Sequence, residues 1–437
     1  MRRARTRGLK AVAAGAFLAA AVLLTGAAAE AATVAVPAED GRLQAVLAAA
    51  QPGDILALAP GIHRGDIILD KPVTLSGVPG AVLEGSGTGS VVTVLAPGVI
   101  ISDLVIRGSG SDLSARNSGI LVQRSASNVR IEGNRLEGNL FGIYLVGVSN
   151  ALVRNNTIIG RRDAHITERG DGISIWNSPG ARILDNDFTL GRDGIFVTTS
   201  HDDVFSGNRF HGVRIAVHYM YTNDSEVSGN VSTGNFAGYA LMYSRGLTVR
   251  GNLSDGDRDQ GILLNYANDS VVEGNAVYRG ATQCVFIYNS NKNTLRGNHF
   301  EGCPIGIHFT AGSERNTVSE NAFIANQTQV KYVGTRWVEW SANGRGNYWS
   351  DNPGLDLDGD GIANTAYRPN DVVDEVVWAH PMAKLLLTSP ALQLLRFAEA
   401  QFPGLHPGGV IDSAPLMQPP PAPLAARASA VQQGERR

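Results

Sequence analysis

A short unit ending in a tight turn recurs from residue 133 to residue 326 and limits what this chain can become. Its turns read Gly133-Asn134, Asn155-Asn156, Asp185-Asn186, Gly207-Asn208, Gly229-Asn230, Gly251-Asn252, Gly274-Asn275, Gly297-Asn298 and Glu320-Asn321, with the asparagines 22, 30, 22, 22, 22, 23, 23 and 23 residues apart. A near-constant period of this length means a repeat architecture, in which each unit buries its apolar side by stacking on its neighbours. Within a unit, apolar residues alternate over short runs such as Gly194-Ile195-Phe196-Val197, Asp203-Val204-Phe205 and Arg209-Phe210. Alternation means strands, the Asn, Gly, Asp and Ser between them mean turns, and the spacing has no room for a crossover helix. The expectation is an all-β chain, a right-handed parallel β-helix in which each strand pairs with its equivalent one period later. The anchor asparagines are expected to stack as a ladder at one corner and to adopt the left-handed backbone there. Nine anchors at about 4.8 Å per coil give a rod of roughly 40 Å.

Residues 1–31 read as a secretory signal. Arg2, Arg3, Arg5, Arg7 and Lys10 precede an apolar run from Ala11 to Leu24, and Ala29-Glu30-Ala31 supplies a small-x-small cleavage site. The apolar run is short for a membrane span. Export with cleavage changes the net charge from -3 to -7, because five basic residues and Glu30 leave with the signal. The mature chain is therefore expected outside the cytoplasm, and its acidic balance gives no footprint for nucleic acid. Residues 40–50 form an amphipathic segment with Leu43, Val46, Leu47 and Ala50 on one side, expected to cap the first coil. Residues 32–335 are then the capped β-helix. Two polar insertions, 108–118 and 160–171, break its period and are expected to loop out from corners, either as recognition loops or as plain solvated ones.

Alignment on the anchors yields the faces. Ile143, Ile173, Ile195, Val217, Tyr239, Ile262, Val285 and Ile307 form one inward column, and Leu145, Ile175, Val197, Tyr219, Leu241, Leu264, Ile287 and Phe309 the next. The outward columns contain Tyr144, Phe196, His218, Phe286 and His308, then Trp176, Met220, Met242 and Tyr288. An apolar and aromatic strip on an outer face marks a contact surface, unless a terminal segment of the same chain covers it. Tyr144, Trp176, Phe196, Phe286, Tyr288 and His308 are the partner-surface candidates. His218, Met220 and Met242 fall together, and imidazole with thioether is a soft donor set suited to Cu(I). The competing reading is ordinary apolar contact. Cys284 and Cys303 fall in neighbouring coils, as a disulfide or as two thiols.

After residue 326 the repeat fades. Trp337, Trp340, Tyr348 and Trp349 are expected to close the open end within a segment spanning residues 336–383. Asp356, Asp358, Asp360, Ile362 and Asn364 have the spacing of a Ca²⁺ loop, with Tyr367 at the twelfth place and Asp371 or Asp374 left to close the shell. Residues 384–417 hold a helix from Ser389 to Phe402, whose apolar stripe includes Leu394, Leu395 and Phe402 and either packs on the rod or docks on a partner. The Pro- and Ala-rich residues 418–437 are expected to be disordered.

The C-terminal segments Gly344-Arg345-Gly346-Asn347-Tyr348-Trp349-Ser350-Asp351, Tyr367-Arg368-Pro369-Asn370-Asp371 and Pro407-Gly408-Gly409-Val410-Ile411-Asp412-Ser413-Ala414-Pro415-Leu416-Met417 resemble those of the NosD family, a likeness spanning roughly residues 35–417. The resemblance implies a non-enzymatic periplasmic accessory protein for maturation of nitrous oxide reductase, assembling its copper-sulfide centre. It also implies partners: a membrane ABC permease with a cytoplasmic ATPase, a copper-chaperone lipoprotein and the reductase itself. This chain has no G-x-x-x-x-G-K-[ST] loop, so ATP use would fall to a partner. The competing reading is a carbohydrate-binding or polysaccharide-modifying enzyme. Asp171, Asp185, Asp187 and Asp193 are its acidic candidates, and the outward columns contain no acid.

Overall fold

The repeat winds into a three-sided parallel β-helix in a computed structural model that describes residues 31–162, 165–334, 336–386, 389–401 and 408–423. Two faces are 13-stranded sheets and the third is 12-stranded, with successive coils paired in parallel. The register is the one the alternation implies: Ile173 pairs with Ile195, Val217 with Tyr239, and Ile262 with Val285. Both inward columns are fully buried and form one continuous core along the rod.

The asparagine ladder is buried and continuous. Asn208 donates its backbone N–H and its Nδ2–H to Oδ1 of Asn230, at 2.9 and 3.0 Å, and Asn230 repeats this on Asn252. Nδ2 also donates to a carbonyl of the coil before, as from Asn230 to Phe205 O at 2.8 Å. Each rung thus satisfies groups that would otherwise be buried without partners. The expected left-handed backbone falls one residue earlier than the sequence reading put it. Gly207, Gly229, Asn155, Asp185 and Glu320 have φ between 54° and 69°, and the ladder asparagines do not. The turn is made before the rung because the rung must aim two donors along the rod, and this explains why Gly precedes most anchors.

Helix α1 (Arg42–Ala49) covers the first coil with Leu43 and Val46. The two insertions meet, Arg161 Nη1 donating to Ser111 Oγ at 2.7 Å, and the second contains a short 3-10 turn, Ile166–Glu168. At the other end Trp340 and Trp349 are buried against Phe309 and Phe323, the Phe323 and Trp349 rings stacking at 4.4 Å. Strand Gly409–Ile411 returns to pair with Trp337–Glu339. Asp412 then terminates the ladder. Its Oδ2 accepts from Asn347 N at 2.6 Å and from Trp349 Nε1 at 2.8 Å. Gly346 is required beside it, since a Cβ there would overlap the Asp412 carboxylate.

A helical hairpin follows the acidic loop: α2 (Val372–Ala379), a 3-10 turn (Pro381–Leu386) and α3 (Pro390–Gln401). The sequence reading found α3 and missed α2, although Asp371 and Asp374 form a capping box at its start. The tail is not wholly without structure. Residues 418–423 are placed, and Pro421 and Pro423 line a shallow groove with the corner glycines Gly229, Gly251, Gly274 and Gly297. The expected signal at residues 1–30, Phe402, and the remainder of the expected disordered tail at 424–437 lie outside the described residues.

Candidate functional site

The outer face of the 12-stranded sheet brings the soft donors together. Strand Ile215–Asn223 carries His218 and Met220, and strand Ala237–Met242 carries Met242, which is the register partner of Met220. Both methionines are half-buried. His218 is held from behind, its Nδ1 lying 3.0 Å from Asp193 Oδ2. Asp193 is fully buried, and Arg214 grips both its oxygens at 2.7 and 2.6 Å. One coil back, Arg192 grips the buried Asp171 in the same way at 2.9 and 3.0 Å, and Ser174 Oγ donates to it at 2.6 Å. Burial acts to raise the Asp193 carboxyl, but hydrogen bonds from His218 and Arg214 and the Arg214 charge outweigh it, so this acid sits below its ordinary range. Asp171 moves the other way, raised by burial and by the neighbouring Asp193 charge.

Sequence reasoning missed Asp193 as the support of His218. The signal was present, since Asp171 and Arg192, and Asp193 and Arg214, share one spacing of 21 residues.

The partner-surface candidates separate into two groups. The Arg116 guanidinium, from the first insertion, lies 5.5 Å from the Tyr144 ring and 6.0 Å from the Trp176 ring. The chain's own loop therefore reaches over the N-terminal part of the strip. Phe196 packs edge-on to His218 at 5.0 Å, Phe286 stacks on His308 at 4.6 Å, and Tyr288 remains 40% exposed. Burial and Lys331 lower the His308 pKa to about 4, so it is neutral.

The strip also has an edge that the sequence reading did not identify. Tyr221, Tyr243 and Tyr266 follow Met220, Met242 and Asn265, at φ of 54°, 50° and 52°. Their exposed rings stack along the rod at 5.1 and 5.2 Å. Left-handed backbone costs a bulky residue about 1–2 kcal/mol, so Gly or Asn would suit this corner better on backbone grounds.

In the acidic loop, carboxylate oxygens of Asp356, Asp358 and Asp360 lie within 4.8 Å of one another. Asp356 accepts from Gly361 N and Gly359 N, which lowers its pKa, and Asn364 Oδ1 accepts from Leu357 N. Ile362 N donates to Asp360. Asp371 was expected to help close this shell; its carboxylate instead caps α2, accepting from Asp374 N at 2.8 Å. Cys284 and Cys303 form a disulfide, so neither is a thiolate ligand. Of the docking candidates, Leu394 is 67% exposed while Leu395 is half-buried; Phe397, which the sequence reading passed over, joins Leu394 on the open side. Among the described residues no helix is long and apolar enough to cross a membrane.

Residues 159–354 match the family described as "Periplasmic copper-binding protein (NosD)", and residues 76–170 match the family described as "Right handed beta helix region". The chain is 42% identical over 377 residues to a Stutzerimonas stutzeri protein named "Probable ABC transporter binding protein NosD", covering 83% of this chain and 86% of that one. It is 40% identical over 379 residues to the protein of the same name from Pseudomonas aeruginosa, covering 84% and 89%. The chain belongs to the NosD family.

NosD relatives are thus named as binding proteins, not as enzymes, and the family is described as periplasmic and copper-binding. Solved structures with a similar fold include the Yersinia enterocolitica family 28 exopolygalacturonase, at 14% identity and TM-score 0.48 over 68% of this chain and 78% of that one. The A-module of the Azotobacter vinelandii mannuronan C-5 epimerase AlgE4 is similar at 15% identity and TM-score 0.48, over 66% and 89%.

Proposed function

We propose that this NosD-family chain is an exported accessory protein that handles copper for the maturation of nitrous oxide reductase. It works with an ABC-type permease and its ATPase, takes copper from a chaperone lipoprotein, and serves assembly of the copper-sulfide centre. One observation carries the reading: an imidazole and two register-paired thioethers share one outer face of a rod whose family is described as copper-binding. Copper is cargo in this reading. His218, Met220 and Met242 fit a soft monovalent cation, because neutral imidazole and thioether bind Cu(I) without the desolvation penalty of a buried unpaired charge. Phe196, Phe286, Tyr288 and His308 form the surface that a donor or acceptor protein contacts, and the α3 side bearing Leu394 and Phe397 docks on the permease.

The acidic loop at Asp356, Asp358 and Asp360 is proposed as a structural Ca²⁺ site, with Asn364 and the Ile362 carbonyl as further oxygen donors. Calcium added to chelator-treated protein is expected to slow amide exchange in residues 355–364, with Asp358→Asn removing the effect; no change with calcium counts against the site.

The polysaccharide reading needs two carboxyl groups open to a sugar. Asp171 and Asp193 are the paired acids on this face, and both are fully buried in arginine bridges. The test is the copper content of nitrous oxide reductase purified from cells lacking this chain. The expected result is a reductase without its copper-sulfide centre, recovered when the gene is restored. A fully loaded reductase without the chain would reject the proposal.

A further inference from the structure

The outer face builds one imidazole arrangement twice, four coils apart. In each copy a histidine Nδ1 meets a buried side-chain oxygen 25 residues earlier: Asp193 Oδ2 at 3.0 Å from His218, and Gln283 Oε1 at 3.2 Å from His308. In each copy a phenylalanine one coil earlier packs on the ring, Phe196 at 5.0 Å and Phe286 at 4.6 Å. A carboxylate oxygen, or an amide oxygen, only accepts. Nδ1 therefore carries a proton in both rings, and in the neutral form of each ring it is Nε2 that holds the lone pair. The backbone repeat thus supplies two pre-oriented imidazoles of the same tautomer.

The two differ in what surrounds them. Asp193 is an anion held in place by Arg214, and the next coil beside His218 presents only the small, buried Ala240. Gln283 is neutral, and the next coil beside His308 presents Lys331, a cation in register with it. The thioethers show the same asymmetry. Two residues beyond His218 are Met220 and its register partner Met242, whereas the same places beyond His308 hold Thr310 and Val333. An anionic hydrogen-bond acceptor on the far nitrogen makes an imidazole a better donor to a metal, and a nearby cation opposes metal binding.

We propose that Asp193 is a positioning residue that makes His218 Nε2 the metal-bearing nitrogen of this face, for a soft monovalent cation shared with Met220 and Met242, and that His308 is excluded from that role. The Arg214 bridge fixes Asp193, and Asp193 fixes the tautomer and orientation of His218, on the same outer face as the two thioethers. His308, built on the same plan without the anion or the sulfur, is a packing and contact group. This inference rests on the copper-handling reading of the outer face and deepens it.

The experiment titrates Ag(I), a redox-inert analogue of Cu(I), into the purified mature chain, with histidine ring nitrogens followed by ¹H–¹⁵N correlation. Before metal, at a pH where the ring is neutral, His218 is expected as the Nδ1–H tautomer, and a neutral ring with its proton on Nε2 overturns the inference. With metal, the His218 Nε2 signal is expected to shift and that of His308 to stay. His308→Gln is expected to bind as the parent does; lost binding overturns the exclusion of His308. Asp193→Asn keeps the size and an acceptor oxygen but removes the anion, and is expected to weaken Ag(I) binding about 10- to 100-fold with unchanged far-UV circular dichroism. Parent-like binding by Asp193→Asn, alongside lost binding in Met220→Leu with Met242→Leu, overturns the role of Asp193 and leaves the copper-handling reading standing. Parent-like binding by both His218→Gln and the double methionine variant overturns that reading itself.

Discussion

Replacing Asp412 by alanine removes the group on which the asparagine ladder ends. Its Oδ2 accepts from Asn347 N at 2.6 Å and Trp349 Nε1 at 2.8 Å, and Oδ1 accepts from Ala414 N at 3.2 Å. Asn347 and Trp349 are buried, so bulk water does not reach the donors that lose this oxygen. Two buried donors left unpaired cost about 1–3 kcal/mol each. Removing the carboxyl recovers part of this, because burial raises its pKa and its charged form is penalised. The net loss is about 2–4 kcal/mol, or roughly 30- to 1000-fold in a local opening equilibrium at about 1.4 kcal/mol per tenfold. A solenoid is held by nearest-neighbour contacts, so the loss should stay at the C-terminal coils. Amide hydrogen exchange is the assay. The amides of Asn347, Trp340 and Tyr367 should exchange faster by that factor, while Asn208 and Asn230 in mid-rod stay unchanged. Asp412→Asn, which keeps an acceptor oxygen, should fall in between. Unchanged exchange at the end coils, or a uniform rise along the whole rod, would refute Asp412 as the terminal rung.

Further expectations concern groups at odds with their surroundings. Asp203 is fully buried, its Oδ2 has no hydrogen-bond partner among the described residues, and burial raises its pKa to about 7. The folded state then binds more protons than the unfolded one between about pH 4 and 7. The stabilisation is complete below the unfolded value and is lost as pH rises through about 7, by at most about 1.4 kcal/mol per pH unit. Melting temperatures from pH 5 to 8 should fall for the parent and be flatter for Asp203→Asn; parallel curves would contradict this. Replacing Tyr221, Tyr243 and Tyr266 together by asparagine should leave the melting temperature equal or higher, because the left-handed backbone suits asparagine better. The same variant should impair copper delivery in cells, and unimpaired delivery would show that the ring stack has no part in partner contact.

Much of the fold was legible because strand alternation has a period of two. Once the anchors were aligned, each residue of Ile143 to Ile307 and Leu145 to Phe309 could be assigned to the core by parity alone. The ladder was legible from asparagines recurring about once per coil, although its left-handed position was misplaced by one residue, because which residue turns depends on where the rung must aim its donors. The candidate site was read only in part. His218, Met220 and Met242 followed from column positions, but the support from Asp193 and Arg214 arises where a corner meets a strand one coil later. The tyrosine edge was hidden because Gly and Asn are the residues expected at left-handed corners. Asp371 was assigned to the acidic loop because chain proximity alone cannot distinguish a metal ligand from a helix cap.

The most direct test of the central claim is the copper content of nitrous oxide reductase from cells whose only copy of this chain carries His218→Ala, Met220→Ala and Met242→Ala, at parental protein level. The account predicts a reductase lacking its copper-sulfide centre, as in cells without the chain. A fully loaded reductase would show that this face does not handle the copper.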